Sequence, residues 1–409
     1  MMLASIFSFA LKSIYRQRVR TLATLSAISV GVAGLILAGG FVQDIFFQLG
    51  EAIIHSQTGH IQITVKGYAE GKGRSLDKYL IADTKNLQQT ISASSPSIVQ
   101  TTARLGFSGV LNNGKRDLGI IGEGIEPDVE QSFGTHMRFT AGRALKDSDE
   151  DAIIVGDGVA NALGLNIGDR VTLVITLASG ALNTLDFQLV GVFQSFSKEF
   201  DARAVRIPLR AAQILSDTAS SHVIVAMLDK TEATTVTVNL LKTQILKNEF
   251  AVTPWSNLSD FYEKTVELYD RQFGVLRLIT LVMVFLSVVN SVNMTLFERT
   301  REFGTMKAVG DTENTIFRLI LAESVWLGAL GSILGIILGC VLALGISTIG
   351  ISMPPPPNSN LGYIAQIRLD AWSVGIAGAT GFVACILASI LPARRASQLD
   401  IVDALRHGV

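Results

Sequence analysis

The chain has 409 residues, and its 34 basic and 35 acidic side chains leave a formal charge of −1. Charged residues make up 17%, against roughly 25% in soluble proteins. Mean hydropathy is +0.41, and the missing charge is concentrated in four stretches, so the chain lies partly in a membrane and partly in water. Near-neutral charge without a concentrated basic face argues against nucleic acid as a partner. The two cysteines, Cys340 and Cys385, both sit in apolar runs, which excludes a disulfide framework and a Cys-based zinc site.

In chain order, residues 1–20 mix aromatic and basic side chains at helical spacing (FSFALKSIYRQRVR) and predict a helix along the cytoplasmic interface. Residues 21–43 are uncharged up to Asp44. A hydrocarbon core of about 30 Å needs roughly 20 apolar helical residues, so this stretch predicts transmembrane helix 1. It is too long for a signal-peptide core, and no A-x-A site follows.

Residues 44–273 predict a large α+β domain. Residues 60–66 (HIQITVK) alternate as a strand does, and strands over 99–111 and 117–125 flank Asn112-Asn113-Gly114, a hairpin turn signal. A short strand over 152–155 precedes a helix over 157–163 that stops at Gly164, and strands over 170–177 and 185–193 bracket the turn-rich SGALN. Strands over 222–228 and 250–254 enclose an amphipathic helix over 231–247, a split-βαβ-like unit. Two subdomains are expected, an α+β part from the ends of the region and a β-rich insert near 140–210. From Asn257 a helical pattern runs into the next span with no Gly/Ser linker, so the domain joins the membrane rigidly.

Three further spans are predicted over 274–297, 317–347 and 371–393. They are separated by a short segment over 298–313 and a Pro-rich loop over 348–370, and followed by a tail over 394–409. The fold class is therefore an α-helical membrane protein of 1+3 transmembrane helices with a large α+β domain between helices 1 and 2. Lys12, Arg16, Arg18 and Arg20 precede span 1. Arg299, Arg301 and Lys307 separate spans 2 and 3, and Arg394, Arg395 and Arg406 follow span 4. Asp44, Glu51, Glu267, Asp270 and Asp370 mark the opposite ends, with Arg271, Arg277 and Arg368 against the trend. The positive-inside rule then places both termini and the short segment in the cytoplasm and the large domain outside.

No pattern points to an enzyme. The sequence contains no G-x-x-x-x-G-K-[ST], no G-x-S-x-G and no H-E-x-x-H. The histidines at 55, 60, 136, 222 and 407 lack ligand spacing, and ordinary surface or core roles are expected for His55 and His60. Glu323, near the start of span 3, reads either as a functional intramembrane ionisable group or as an interfacial residue pairing with Arg318. Gly331, Gly335 and Gly339 allow close helix approach, either within the chain or, the favoured reading, at a subunit interface. Phe303, Met306 and Val309 fall at i, i+3 and i+6. They form either an apolar stripe that seats in another protein's groove or part of a solvated basic loop.

The segment ERTREFGTMKAVG (298–310) resembles the cytoplasmic coupling helix of MacB/FtsX-like ABC transporter permeases. PARRASQLDIVDAL (392–405) resembles their C-terminal signature, and RQRVRTLATLSAISVGVAG resembles their first span. Within the family, GDGVANALGLNIGDRVTLVI, FQLVGVFQSFSKEFDARAVRIPLRAAQIL and GHIQITVKGY are most similar to the lipoprotein-releasing LolC/LolE-type permeases. The resemblance implies a non-catalytic permease of the bacterial inner membrane working by mechanotransmission. Two permease subunits, identical or related, would dock on a cytoplasmic ABC ATPase dimer that binds ATP and Mg, with no cofactor bound by this chain.

The resemblance further implies that Glu298, Arg299, Arg301, Glu302, Phe303, Gly304, Met306, Ala308, Val309 and Gly310 form the ATPase-coupling site, supported by Arg394, Arg395, Asp400 and Leu405. Membrane lipids and a periplasmic lipoprotein, chaperone or adaptor are the other implied partners; a lipid-modified cargo would enter between spans, with apolar positions of spans 1 and 2 as candidate contacts. MacB-like efflux of small molecules or peptides and FtsX-like signalling to cell-wall hydrolases are the alternative functions.

Overall fold

The computed structural model describes residues 18–71, 76–133, 137–245, 249–355 and 362–398. Residues 1–17 of the interfacial helix predicted over 1–20, together with His136, His407, Asp400 and Leu405, lie outside these residues. The described residues fall into two compact units. A helical one takes the residues up to Phe46, Val266–Ser352 and those from Ile364, and a mixed one takes Phe47–Thr265 and Met353–Tyr363.

In the mixed unit, ten strands join in one sheet. Its first half is built from β1 (Ile61–Val65), β2 (Ile98–Asn112), β9 (Val223–Leu228) and β10 (Phe250–Pro254), where β1 lies antiparallel between β9 and β10. Helices α2 (Thr84–Ser94) and α6 (Thr234–Leu240) belong to the same half. Its core is Ile61, Ile63, Ile91, Ile224, Val238 and Val252. The expected helix over 231–247 is broken up: a 3₁₀ turn over Thr231–Ala233 leads into α6, which widens into a π turn over Leu241–Ile245.

The second half adds β3 (Asp117–Ile125), β4 (Arg138–Gly142), β5 (Ala152–Gly156), β6 (Arg170–Thr176), β7 (Leu182–Gln194) and β8 (Ala204–Pro208). Helices α3 (Pro127–Phe133), α4 (Asp157–Leu163) and α5 (Leu209–Leu215) complete it. Leu105, Phe107, Ile153, Leu173, Phe187 and Ile207 form a second, larger core. The β2–β3 hairpin has Gly109 opposite Ile120, and Gly114 adopts φ 82° in its turn, a conformation glycine enters without penalty. The two expected subdomains are thus two cores on one sheet. The 15-residue β2 pairs β9 through its first half and both β3 and β6 through its second, so no break separates them.

The helical unit holds four helices long and apolar enough to cross a membrane: α1 (Arg18–Ile53), α7 (Asp260–Val309), α8 (Glu313–Ile349) and α9 (Ala371–Ser397). Both α1 and α7 continue past the unit boundary without a break. The Pro-rich segment carries a two-stranded ribbon that periodicity did not predict, β11 (Ile351–Met353) against β12 (Tyr363–Ala365).

Gly331, Gly335 and Gly339 of α8 face α1. A Cβ on Gly331 would stand 2.9 Å from Ile28, one on Gly335 2.7 Å from Val32, and one on Gly339 3.0 Å from Ile36. Ser29 adds a hydrogen bond to the Gly331 carbonyl at 3.0 Å. The favoured expectation of a subunit interface is corrected. Ile28, Val32 and Ile36 repeat at the same four-residue interval, and the glycines receive them within the chain.

Candidate coupling site at the end of the long helix

The apolar face of α7 runs Val284, Val288, Val292, Leu296 and then Arg299 and Phe303, one stripe at helical spacing that is buried throughout. The first charges after span 2 therefore do not end the helix. It continues as one 50-residue element to Val309, where a separate short helix over 298–313 was expected. Nothing between Glu298 and Val309 breaks a helix except the single Gly304, a cost of about 1 kcal/mol. The chain then reverses at Gly310, whose φ of 113° is open to glycine and strained for other residues, and α8 begins at Glu313.

At this corner Arg299 is 4% exposed. Its Nη1 donates to Glu323 Oε1 at 2.7 Å and its Nε to Glu302 Oε2 at 2.8 Å. Its guanidinium carbon lies 5.1 Å from the centre of the Phe303 ring, a cation–π contact. The expectation that Glu323 pairs with Arg318 is replaced: its partner is Arg299, and the pair ties α7 to α8. The spacing of the buried stripe carried that signal, since 292, 296, 299 and 303 fall on one face.

Phe303 is 2% exposed and packs with Ile316, Ile320 and Ala393 in the core of the helical unit. Val309 is 84% exposed. The expected single stripe through Phe303, Met306 and Val309 is therefore corrected, because positions i and i+6 stand about 120° apart on an α-helix. Phe303, Gly304 and Arg299 face inward and support the corner. Glu298, Arg301, Glu302, Ala308, Val309 and Gly310 present the outer surface, with Met306 half-buried between the two sets. Lys307 reaches Glu313 at 3.4 Å across the turn. Arg394 and Arg395 are exposed in the last turn of α9, where cations complement the helix C-terminus.

The mixed unit holds two polar clusters that spacing did not reveal. Glu51, His55, His60 and Thr231 are one: Thr231 Oγ1 donates to Glu51 at 2.5 Å, His60 Nε2 is 3.1 Å from Thr231 Oγ1, and the two imidazole rings lie 5.9 Å apart. The fold thus brings the two histidines together. In the second cluster, Arg104 of β2 pairs with Glu130, and Arg206 of β8 with Glu123 at 3.1 Å. Both guanidinium groups also reach backbone carbonyls of the turn Ile54–Thr58 that follows α1.

Comparison with known proteins finds relatives of both regions of the chain. Residues 21–244 match the family model of the MacB-like periplasmic core domain, and residues 274–401 that of the FtsX-like permease C-terminal region. The chain is 23% identical over 415 residues to the lipoprotein-releasing system transmembrane protein LolC of Neisseria meningitidis, covering 95% of this chain and 94% of the relative. It is 24% identical over 410 residues to the macrolide export ATP-binding/permease protein MacB 2 of Aeromonas hydrophila, where 97% of this chain spans 59% of the relative. The crystal structure of the periplasmic region of MacB from Actinobacillus actinomycetemcomitans aligns at 18% identity and a TM-score of 0.36, covering 53% of this chain and 95% of that one.

Proposed function

This chain belongs to the family of ABC transporter permeases that join a MacB-like periplasmic core domain to an FtsX-like permease region, and on that premise we propose that it receives the work of a separate ATPase at the α7–α8 corner. The observation that carries the reading is the outward surface of that corner. Glu298, Arg301, Glu302, Ala308 and Val309 are exposed, while Arg299 and Phe303 anchor the same turns from within. A push on such a corner moves α7 as a rod, because the helix is unbroken from Asp260 to Val309. In this reading the corner and both termini are cytoplasmic, ATP and Mg sit on the partner, and a second permease subunit completes the assembly.

Release of lipoproteins or lipids from the membrane is the favoured task. The supporting similarity is to a lipoprotein-releasing permease matched over 94% of its length. The second reading, efflux of small molecules, is favoured by similarity to macrolide exporters over 97% of this chain.

The corner is tested by Val309→Asp, which places a charge on the exposed tip without disturbing the core. Loss of co-purification with the ATPase, with membrane insertion and thermal stability unchanged, is the expected result. Undiminished co-purification of both Val309→Asp and Arg301→Glu overturns the assignment. Phe303→Asp would instead bury a charge and report on folding.

A further inference from the structure

Span α8 ends at Ile349 and α9 begins at Ala371, so the β11–β12 ribbon that joins them stays at the membrane face remote from the α7–α8 corner. Residues 324–355 and 362–367 carry no charge. At this end of the helical unit Ile349, Ile351, Ile364 and Trp372 are 43–86% exposed. Gly350, at φ 70°, turns the chain out of α8, and a Cβ there would stand 2.6 Å from Ile364 Cγ2. The three isoleucines therefore gather around one glycine as an apolar knuckle, and Trp372 follows in the first turn of the next span.

The ribbon is fastened to the helices rather than hung from them. Side chains alternate along it, with Ala365 and Ile367 buried and Ile364 and Gln366 outward, as in a strand laid on a surface. The Gln366 N–H donates to Asp44 Oδ2 at 2.9 Å and the Arg368 N–H to the Gly40 carbonyl at 3.1 Å, both on α1. The Ser347 hydroxyl of α8 accepts the Ile367 N–H at 3.0 Å. The depth at which the ribbon sits is therefore also the depth of these ends of α1 and α8.

Two physical limits set that depth. A short two-stranded ribbon cannot pair every backbone group within itself, and such groups are not tolerated in hydrocarbon. Uncharged isoleucines held in water, on the other hand, forgo the gain of leaving it. The boundary between headgroups and acyl chains meets both demands, and tryptophan is enriched there. We propose that the knuckle is an anchor on the lipid surface, with Ile349, Ile351 and Ile364 in the acyl-chain boundary and the ribbon backbone among the headgroups. Trp372 marks the same boundary on α9. Because the knuckle carries no charge, a zwitterionic phospholipid suffices. The anchor stands whatever meets the α7–α8 corner.

The test uses the full-length chain in phosphatidylcholine nanodiscs, with an NBD fluorophore on a cysteine placed by Ile349→Cys or Ile351→Cys. Cys340→Ser removes the half-buried native thiol, and Cys385 stays because it is fully buried. Val99→Cys, at an exposed position of β2, gives a label in water. Val341→Cys, exposed on α8, gives one about 12 Å from Ile349 along the helix.

Labels at positions 349 and 351 are expected to be quenched by iodide several-fold less than the label at 99. Doxyl groups near the lipid headgroup should quench them more than doxyl groups near the chain end, and the label at 341 should show the opposite order. Ile351→Ser/Ile364→Ser is expected to raise iodide quenching of the label at 349 toward the value at 99. Iodide quenching at 349 and 351 equal to that at 99 overturns the proposal in favour of a ribbon standing in water. Protection from iodide and from both doxyl lipids overturns it in favour of a protein cover, such as a second copy of this chain.

Discussion

Arg206 of β8 donates from Nη2 to the carbonyl oxygen of Ser56 at 3.3 Å, and Arg104 of β2 donates to the neighbouring carbonyl of Gln57. The last carbonyls of a helix lack intrahelical donors and carry the negative end of its dipole, so buried guanidinium groups there act as caps. Each arginine also holds a carboxylate, but not equally. Glu130, the partner of Arg104, has a side chain 6% exposed, whereas Glu123, the partner of Arg206, is 27% exposed.

Arg104→Met is therefore expected to destabilise the mixed unit by about 3–5 kcal/mol, the cost of leaving one partner of a buried pair alone. For Arg206→Met the expectation is nearer 2 kcal/mol, the loss of charged hydrogen bonds with a partner that water can still reach. Thermal unfolding of the detergent-solubilised chain, read alongside limited proteolysis within residues 47–265, ranks the two. The reverse order would show that the carbonyl contacts, not the carboxylates, set the strength of the clamp.

Arg299 and Glu323 make the corresponding tie in the helical unit, and it behaves differently when cut from either side. Without Glu323, Arg299 keeps Glu302 at 2.8 Å. Without Arg299, Glu323 loses its salt-bridge partner. Each change to Leu is expected to cost stability, roughly 3 kcal/mol for the more damaging Arg299→Leu. The double variant should recover part of that loss, since two apolar groups replace a desolvated pair. A double-mutant cycle on thermal unfolding measures the coupling. Strict additivity would mean that the two side chains do not act as a pair.

Much of this architecture can be read from residue order. The β2–β3 hairpin follows from Asn112-Asn113-Gly114, the end of α4 from Gly164, and four spans from charge-free runs. What periodicity omits is who pairs with whom. One sheet rather than two subdomains depends on β2 meeting β9, more than a hundred residues away, and strand alternation does not encode the partner. The corner fails differently. A basic cluster after an apolar run marks the membrane surface, yet helix propensity carries α7 straight through it. An i, i+3, i+6 pattern then joins one buried and one exposed residue. Arg299 was readable in principle, because it continues the 288–292–296 stripe. His55 beside His60 was not, because a π turn after α1 swings one ring toward the other.

The glycine row on α8 separates a packing role from a helix-propensity role. A side chain on Gly335 would meet Val32 at 2.7 Å and the Ser29 carbonyl at 2.9 Å, whereas at Gly345 nothing lies within 4 Å. Gly335→Val should force α1 and α8 apart and lose about 1–3 kcal/mol, as overpacked cores do. Gly345→Ala should gain about 0.5–1 kcal/mol, because alanine restricts the unfolded chain and favours helix. Thermal unfolding in detergent checks both, and equal effects at the two positions would refute intrachain packing as the reason for the row.

His60 makes the mixed unit sensitive to acid. Burial pushes its imidazole down to about 4, with the charge of His55 adding in the same direction, while Glu51, Asp229 and Glu232 pull the other way. The neutral ring is also the one its contacts require, because Nδ1 accepts the Leu228 N–H at 3.2 Å while Nε2 faces Thr231. An unfolded histidine titrates near 6.5. Between about pH 6.5 and 4 the unfolded chain therefore holds a proton that the folded chain does not, and stability rises with pH across that window. The contribution is complete above pH 6.5 and is lost as the pH falls toward 4. His60→Asn, whose side-chain oxygen can still accept the Leu228 N–H, should flatten this slope. Trp255 follows the transition by its fluorescence, since its backbone N–H bonds the His60 carbonyl at 3.0 Å and holds the residue next to the cluster. Wild-type and His60→Asn chains whose midpoints shift in parallel between pH 6.5 and 4 would remove His60 as the acid-sensitive group.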